Sequence, residues 1–369
     1  MSQDKLLIVG SFPSPDQKIY GGIAKSCKIL IESETFKKYK IQTIDSSQSN
    51  PSPILIIRLI NATTRILKLL YKLIFNKPKS ILIFCSDGFS AVEKGLMIIL
   101  SRLFNVRVLI FPRAGNLIKQ VNNSKLFKAL IKFMFSNANL FLSQGNKWAQ
   151  FAEDILKLNT EKIKIAHNWT ATDDLIKIGM SKKIDQNNTR LKLLFVGWLE
   201  KEKGVNEILQ VLKRLNEKKY NFTMTFIGDG KMKTKATKFI QKNNLSEKVV
   251  IKGWLDRMDI YNYYKNSDIF LLPSWIEGMP NSLIEALASA IPTIVTPVGV
   301  IPDYLNDKEN ALFIPPKNVN ALEEALKQLL NNLEIRKKLS KNGFLLAKSL
   351  FLTKTSLDRL SVIVSEQKD

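Results

Sequence analysis

Apolar runs of three to six residues alternate along the chain with longer stretches in which apolar side chains recur every three or four positions. Short buried runs read as strands and the 3.6-residue period as amphipathic helices, so the pattern is a succession of βα units. In the first half the strand runs are 6–9, 41–44, 81–84, 106–111, 140–142 and 163–166. Helical spacing covers 22–34, 54–75, 90–103, 124–136 and 147–157. A polar stretch without apolar period, 181–190, interrupts the alternation and reads as a linker. The pattern restarts with strands at 191–196, 222–227, 249–251, 269–272 and 293–295. Its helices fall near 204–217, 232–243, 258–265, 282–289, 319–331, 333–348 and 353–365. The expectation is an α/β chain of two doubly wound parallel sheets, with domains over 1–168 and 191–352 joined by a connection at 169–190. Two such sheets in tandem would place ligands in an interdomain cleft lined by strand C-termini. No internal sequence repeat relates the halves.

Composition narrows the class. The 369 residues are 45% apolar and 24% charged, enough for a sizeable core and unlike a disordered or collagenous chain. The two cysteines, Cys27 and Cys85, have no paired spacing, which reads as reduced thiols in a cytosolic protein. The first apolar run is too short for a signal peptide and follows an acid, Asp4. No window of about 18 uncharged apolar residues exists, so no spanning helix is expected.

Net charge is +23 and unevenly spread. Residues 1–168 hold 25 Lys and Arg against 10 Asp and Glu, while the rest hold 31 against 23. No acid occurs between Asp45 and Asp87, nor between Glu93 and Glu153. The first half should therefore face an anionic partner. In the helix at 54–75, Arg58, Asn61, Arg65, Lys68 and Lys72 fall in one narrow arc, and almost everything else is aliphatic. A second helix repeats the design with Lys125, Lys128 and Lys132 on one stripe. Part of each apolar arc must pack on the sheet, but the first is wider than one sheet contact needs. The expectation is docking on an anionic membrane surface, with these cations toward lipid.

Candidate chemistry concentrates in Glu277-Gly278-Met279-Pro280-Asn281-Ser282-Leu283-Ile284-Glu285. Two carboxylates straddle a Gly-x-Pro turn that follows an apolar strand and opens a helix. Helix N-termini bind phosphate through free N–H groups, and carboxylates hold hydroxyls, so the combination fits a sugar nucleotide. Other glycine turns fall after strands: Gly21-Gly22, the segment from Gly197 to Gly204 and Gly228-Asp229-Gly230. Each alone is also an ordinary βα turn. Lys203, just before Gly204, could neutralise a diphosphate, or it is one solvated charge in a Glu-Lys-Glu-Lys run.

The ordered set Gly21-Gly22, Gly197 to Lys203-Gly204, Gly228-Asp229-Gly230, Glu277-Gly-x-Pro-x4-Glu285 and Gly299 to Asp303 resembles the family 4 retaining glycosyltransferases of GT-B fold. The resemblance spans nearly the whole chain and is specific from about 193 to 315. It implies that Glu285 binds the donor ribose, and that Glu277 with the N–H groups of Met279, Pro280's turn and Asn281 holds the donor sugar. Lys203 would bind the diphosphate, with Lys201 or Arg113 as alternative replacements for the second cation that the family usually carries, and Gly22, Gly197 and Gly228 close to the donor. The peptide around Gly253 would contact the base, uracil being preferred to guanine. The helix in 353–369 would cross back onto the first domain. The implied chemistry is retaining and metal-independent, with a nucleotide-sugar donor, no further cofactor, and no Asp-x-Asp metal site in the sequence. The implied acceptor is a glycan, lipid-linked if the membrane reading holds, as in surface polysaccharide or lipopolysaccharide synthesis on the cytoplasmic membrane face.

The departures are specific. The family usually carries Arg directly after the glycine matching Gly197, where this chain has Trp198. A first-domain His is absent, and that strand end reads Arg113-Ala114-Gly115-Asn116. Arg113 and Asn116 could bind an anionic or hydroxylated acceptor or form a plain turn. Asn168 matches a rim position, and His167, the only histidine, reads as structural. The rival readings are a GT-B sugar-nucleotide epimerase, a catalytically weak glycosyltransferase-like partner, and a nucleic-acid binder. The last fits pI 9.8, but no recognised module or interleaved stacking aromatics support it.

Overall fold

The structure, a computed structural model, describes residues 3–13, 21–47, 53–184 and 190–366. The chain divides into two compact units, Met1–Trp169 with Lys354–Asp369, and Thr170–Thr353.

The first unit is built on six parallel strands: β1 (Lys5–Gly10), β2 (Lys40–Asp45), β3 (Ser80–Cys85), β4 (Arg107–Pro112), β5 (Leu140–Ser143) and β6 (Ile163–Ile165). Their order is β2-β1-β3-β4-β5-β6, with Leu7 paired to Gln42 on one side and Ile81 on the other. The connections are α1 (Gly22–Glu32), α2 (Leu55–Phe75), α3 (Phe89–Leu103), α4 (Asn116–Asn123), α5 (Lys125–Ser136) and the short α6 (Asn146–Gln150). Leu6, Ile8, Leu82, Phe84, Leu109 and Phe111 form a core with Trp169 and with Leu357, Leu360 and Val364 of the chain's last helix. That helix is also tied by polar bonds. Thr35 donates to Asp358 at 2.7 Å, and Arg107 donates to the carbonyls of Ile363 and Val364. The core strands read as unbroken apolar runs because helices cover both faces of a parallel sheet.

The second unit repeats the plan with β7 (Leu191–Val196), β8 (Phe222–Ile227), β9 (Val249–Ile251), β10 (Ile269–Leu272), β11 (Thr293–Val295) and β12 (Leu312–Phe313), in the order β12-β11-β10-β7-β8-β9. Its helices are α7 (Asp173–Ser181), α8 (Val205–Glu217), α9 (Lys233–Lys242), α10 (Arg257–Asn266), α11 (Asn281–Ala288), α12 (Ile301–Tyr304), α13 (Val319–Asn331) and α14 (Leu333–Leu350), and α15 (Thr353–Ser365) ends the chain.

The connection expected at 169–190 is not a plain linker. Residues 173–181 form α7, which opens with Asp173 and Asp174 against the positive helix end and buries Leu175 and Ile176 within the second unit. Its apolar positions were too few for the periodicity to register. Of the polar stretch 181–190, residues 185–189 lie outside the described residues. Strand β12 and helices α4 and α12 were also absent from the sequence reading. Two to eight residues are too short for a period to stand out.

Candidate functional site

In the second sheet the chain leaves β7 toward β8 on one side, while β10, β11 and β12 continue on the other. Strand order reverses between β7 and β10, and ligands of doubly wound sheets bind outside the strand C-termini at that point. The two loops there are 197–204, after β7, and 273–280, after β10. Lys203 comes from the first and Glu277 from the second, and they form an ion pair of 2.6 Å with Glu277 buried and Lys203 partly exposed. Residues 74 positions apart, picked out separately in the sequence, thus share one point in space.

Local backbone chemistry holds this pair. A single 3-10 turn, Lys201–Lys203, ends on Gly204, whose φ of 73° lies in the left-handed region. A Cβ at Gly204 would stand 2.2 Å from the Pro273 carbonyl oxygen, so only glycine lets the two loops approach this closely. Gly299 does the same behind the other loop. Its φ is 62°, and a Cβ there would meet the Glu277 carbonyl oxygen at 2.2 Å. Trp275 joins the loops, its N–H donating to the Glu202 carbonyl and its indole donating to Glu207 at 2.9 Å.

After Glu277 the chain passes buried Gly278, Met279 and Pro280 and enters α11 at Asn281. Pro280, the N-cap residue, gives this helix start no side-chain cap, and the positive end of the helix suits phosphate or sugar oxygens. On its second turn Glu285 is 2% exposed and accepts a 3.1 Å hydrogen bond from the Tyr264 hydroxyl. Burial, and next the charge of Glu285, push the Tyr264 pKa well above its ordinary value, so the phenol stays a proton donor to the carboxylate. The sequence reading missed Tyr264. Its only signal was a tyrosine-rich short helix, Tyr261-Asn262-Tyr263-Tyr264, which by itself reads as packing.

Gly197, Gly228 and Gly253 meet at the ends of β7, β8 and β9. Gly228 donates to the Gly253 carbonyl at 2.8 Å, and a Cβ on Gly253 would meet nothing within 4 Å. Beside them Trp198 and Trp254 pack edge to face with centroids 4.9 Å apart. Trp198 is therefore engaged as a hydrophobic partner and puts no charge toward the pair. Lys201, on the same loop, is exposed and carries its charge beside the Trp275 ring. Its ammonium lies 5.4 Å from the Trp275 ring centre, and Lys317 lies 4.6 Å from the same ring.

In the first unit, Arg113 follows β4 and is stacked on Phe111 and Trp169 at 4.9 and 5.4 Å. One terminal nitrogen donates to Ser26 of α1, the helix that Gly22 opens, and the other is buried without a partner. Burial pushes its pKa down to about 10, so it remains a cation at neutral pH, with no carboxylate in contact among the described residues. Asn116 donates to Asp87 at 2.9 Å, and buried Asn168 accepts from Gln144 at 2.9 Å. Neither contacts Arg113 through these bonds. His167 is partly buried, its pKa lowered by burial and then by Arg359.

The basic arc of α2 is corrected by the structure. Arg65 is buried and forms a bidentate pair with Glu93, which also holds buried Lys94. Burial alone would raise Glu93, but Arg65 and Lys94 keep its pKa below the usual carboxylate value. Arg58 is half-buried over the Phe89 ring, and Lys72 reaches Gln42. Only Lys68 of the four cations faces water. Arg65 turned inward because a buried carboxylate on α3 recruits it, a partner that helix periodicity cannot reveal. On α5, Lys125 and Lys132 are exposed and Lys128 is half-buried. Among the described residues no group of three or more His, Cys, Asp or Glu side chains is placed to hold a metal ion, and no helix is long and apolar enough to cross a membrane.

Residues 178–345 match the family described as Glycosyl transferases group 1. A curated relative from Campylobacter jejuni, N-acetylgalactosamine-N,N'-diacetylbacillosaminyl-diphospho-undecaprenol 4-alpha-N-acetylgalactosaminyltransferase, is 27% identical over 66% of this chain and 64% of its own length. The chain spans about half the length of the curated relatives it matches, 43% to 64% for four of them. Among solved structures, sucrose-phosphate synthase from Thermosynechococcus elongatus superposes with a TM-score of 0.77 at 16% identity, covering 98% of both chains. HepE from Anabaena in complex with UDP and glucose gives 0.72 at 13% identity, covering 99% of this chain and 100% of its own. The two parallel-sheet units thus have the GT-B fold of these structures, and the loops that bring Lys203 to Glu277 lie within the stretch that is similar to the Glycosyl transferases group 1 family.

Proposed function

We propose that this protein is a retaining glycosyltransferase of the family 4 type that moves a sugar from a nucleotide-sugar donor to a glycan acceptor. The observation that carries the reading is the Lys203–Glu277 pair at the point where strand order reverses, beside the uncapped start of α11. On this reading the donor diphosphate takes Lys203 from Glu277, and the freed carboxylate accepts hydrogen bonds from sugar hydroxyls. The backbone N–H groups of Met279 and Asn281 assist. Glu285, oriented by Tyr264, accepts from the ribose hydroxyls. The open backbone at Gly253 contacts the base, for which UDP in the HepE complex supports uracil.

The acceptor hydroxyl attacks the anomeric carbon from the face the diphosphate is leaving, the glycosidic C–O bond to phosphate breaks, and the acceptor proton passes to the departing phosphate. Lys203 and the helix start stabilise the charge that develops on the leaving group, with no metal ion assigned to that task. Glu277 positions the sugar and forms no covalent bond to it. The diphospho-undecaprenol in the name of the Campylobacter relative supports a lipid-linked acceptor, and we place the reaction at the cytoplasmic membrane face in surface polysaccharide assembly. Arg113, whose buried nitrogen lacks a partner, is the proposed contact for an anionic group of that acceptor.

Calorimetric titration with UDP, GDP and UDP-glucose in the presence of EDTA tests the donor site. One nucleotide should bind, and binding should be lost in Glu285→Ala. If none binds, the commitment of Trp198 to Trp254 and of Lys201 to Trp275 has dismantled the diphosphate site, and the reading becomes that of a non-catalytic relative.

A further inference from the structure

With three of its four cations turned inward, α2 shows solvent the opposite face. Ile56, Ile60, Thr63, Leu67, Tyr71 and Ile74 recur at spacings of three and four and form one straight stripe. The five apolar members of that stripe are each 57–65% exposed. Leu55, Leu59 and Phe75 widen it. The two threonines on this side leave little polarity, because Thr63 and Thr64 donate to the carbonyls of Leu59 and Ile60 within the helix. Helices α2, α3 and α5 pack side by side along the sheet, and Leu96, Leu103, Leu126 and Phe133 of the latter two are exposed as well. Soluble monomers rarely show so much contiguous apolar surface without a partner for it.

We infer that the outer stripe of α2 is a bilayer-insertion face, on which the first unit lies with α2 parallel to the membrane plane. Charge selects this occupant over a second copy of the chain. Helices α2, α4 and α5 contain no acidic residue, and Glu93, the only one in α3, is buried against Arg65 and Lys94. Lys68, Lys125 and Lys132 are exposed around the apolar surface, so the face is apolar and positive with no exposed anion on these helices. Anionic lipid complements both features, whereas two copies meeting face to face would bring cation to cation. The geometry is that of an interfacial helix rather than a spanning one. The inserting groups are the aliphatic residues opposite the arginines, and basic side chains at the rim supply the selectivity for anionic headgroups. The inference concerns the first unit alone and stands apart from the transfer chemistry.

The whole chain carrying Leu67→Cys, labelled with an environment-sensitive dye, is mixed with vesicles of phosphatidylcholine and phosphatidylglycerol at 3:1, with and without brominated acyl chains. Cys27 and Cys85 are buried with pKa values of about 12, so labelling goes to the new thiol. The dye should shift to the blue and be quenched by bromine, while the same dye at exposed Lys242→Cys should respond to neither. An Ile60→Glu, Leu67→Glu variant should lose vesicle binding about tenfold or more at unchanged circular dichroism. UDP titration of the same variant reads the donor site separately. Vesicle binding that persists in the variant and vanishes in 0.5 M salt would return the contact to surface electrostatics and overturn the proposal. So would a wild-type dimer that the variant makes monomeric, without dye response to lipid.

Discussion

The loops at Lys203 and Glu277 and the helix α2 both looked, in sequence, like places where charge meets a ligand. The structure treats them in opposite ways. In the loops the charged groups come together at the strand-order reversal. On α2 three of four cations are drawn inward and the aliphatic side faces out. The loops are governed by constraints written locally. Gly204 must be glycine because of its φ and the Pro273 carbonyl, and that fixes where the neighbouring lysine starts. A helix face has no such constraint. Periodicity divides α2 into a basic and an apolar side, but which side meets the protein depends on what the next helix offers, and α3 offers a buried Glu93.

The comparison can be broken by exchanging effects. The largest expected is on catalysis: Glu277→Ala should reduce sugar transfer by about 10³-fold or more while leaving the melting temperature unchanged. A rate within tenfold of wild type would remove Glu277 from the site. Next is Glu93→Gln, which strands two buried cations and should destabilise the first unit by about 3–5 kcal/mol in urea unfolding, with donor affinity intact. A neutral result would mean that the inward arginine does not depend on Glu93. Gly204→Ala, strained in φ and meeting the Pro273 carbonyl, should cost at least about 1–3 kcal/mol and weaken UDP binding together with it.

A smaller effect concerns pH. The Glu323 carboxyl is held down to about 2 by hydrogen bonds from Lys218, then from Lys327 and Arg214. Because the folded state binds this proton less readily than the unfolded chain, stability is fully present above about 4.5 and is lost as pH falls toward 2. Lys218→Gln should therefore make the acid-unfolding curve of the second unit shallower over that interval, which circular dichroism can follow. Smallest of all, Lys68→Gln should change stability by less than about 0.5 kcal/mol, since this cation alone on α2 faces water. A larger loss would mean that Lys68 too has a partner within the fold.

Much of the second sheet was legible. The runs at 191–196, 222–227, 249–251, 269–272 and 293–295 are the observed β7 to β11, because strands buried on both faces leave unbroken apolar segments. Strand β12 and helix α7 were not legible, since each is held by what it packs on rather than by its own pattern. In the candidate site Lys203 and Glu277 were singled out from turn chemistry, and the structure brings them into contact. Tyr264 was not, because its role is defined by one hydrogen bond to a residue 21 positions away. The commitment of Trp198 to Trp254 was hidden for the same reason.

What the sequence determined by itself was the succession of strands, the glycine turns at their ends and the excess of positive charge in the first half. Each of these is a property of neighbours in the chain: burial period, backbone freedom and composition. Tertiary structure alone decided that Lys203 meets Glu277, that Tyr264 holds Glu285, and that α2 hides its arginines and exposes its isoleucines. Those outcomes turn on contacts between distant residues, where one buried carboxylate or one close carbonyl selects among faces that the local pattern leaves equivalent.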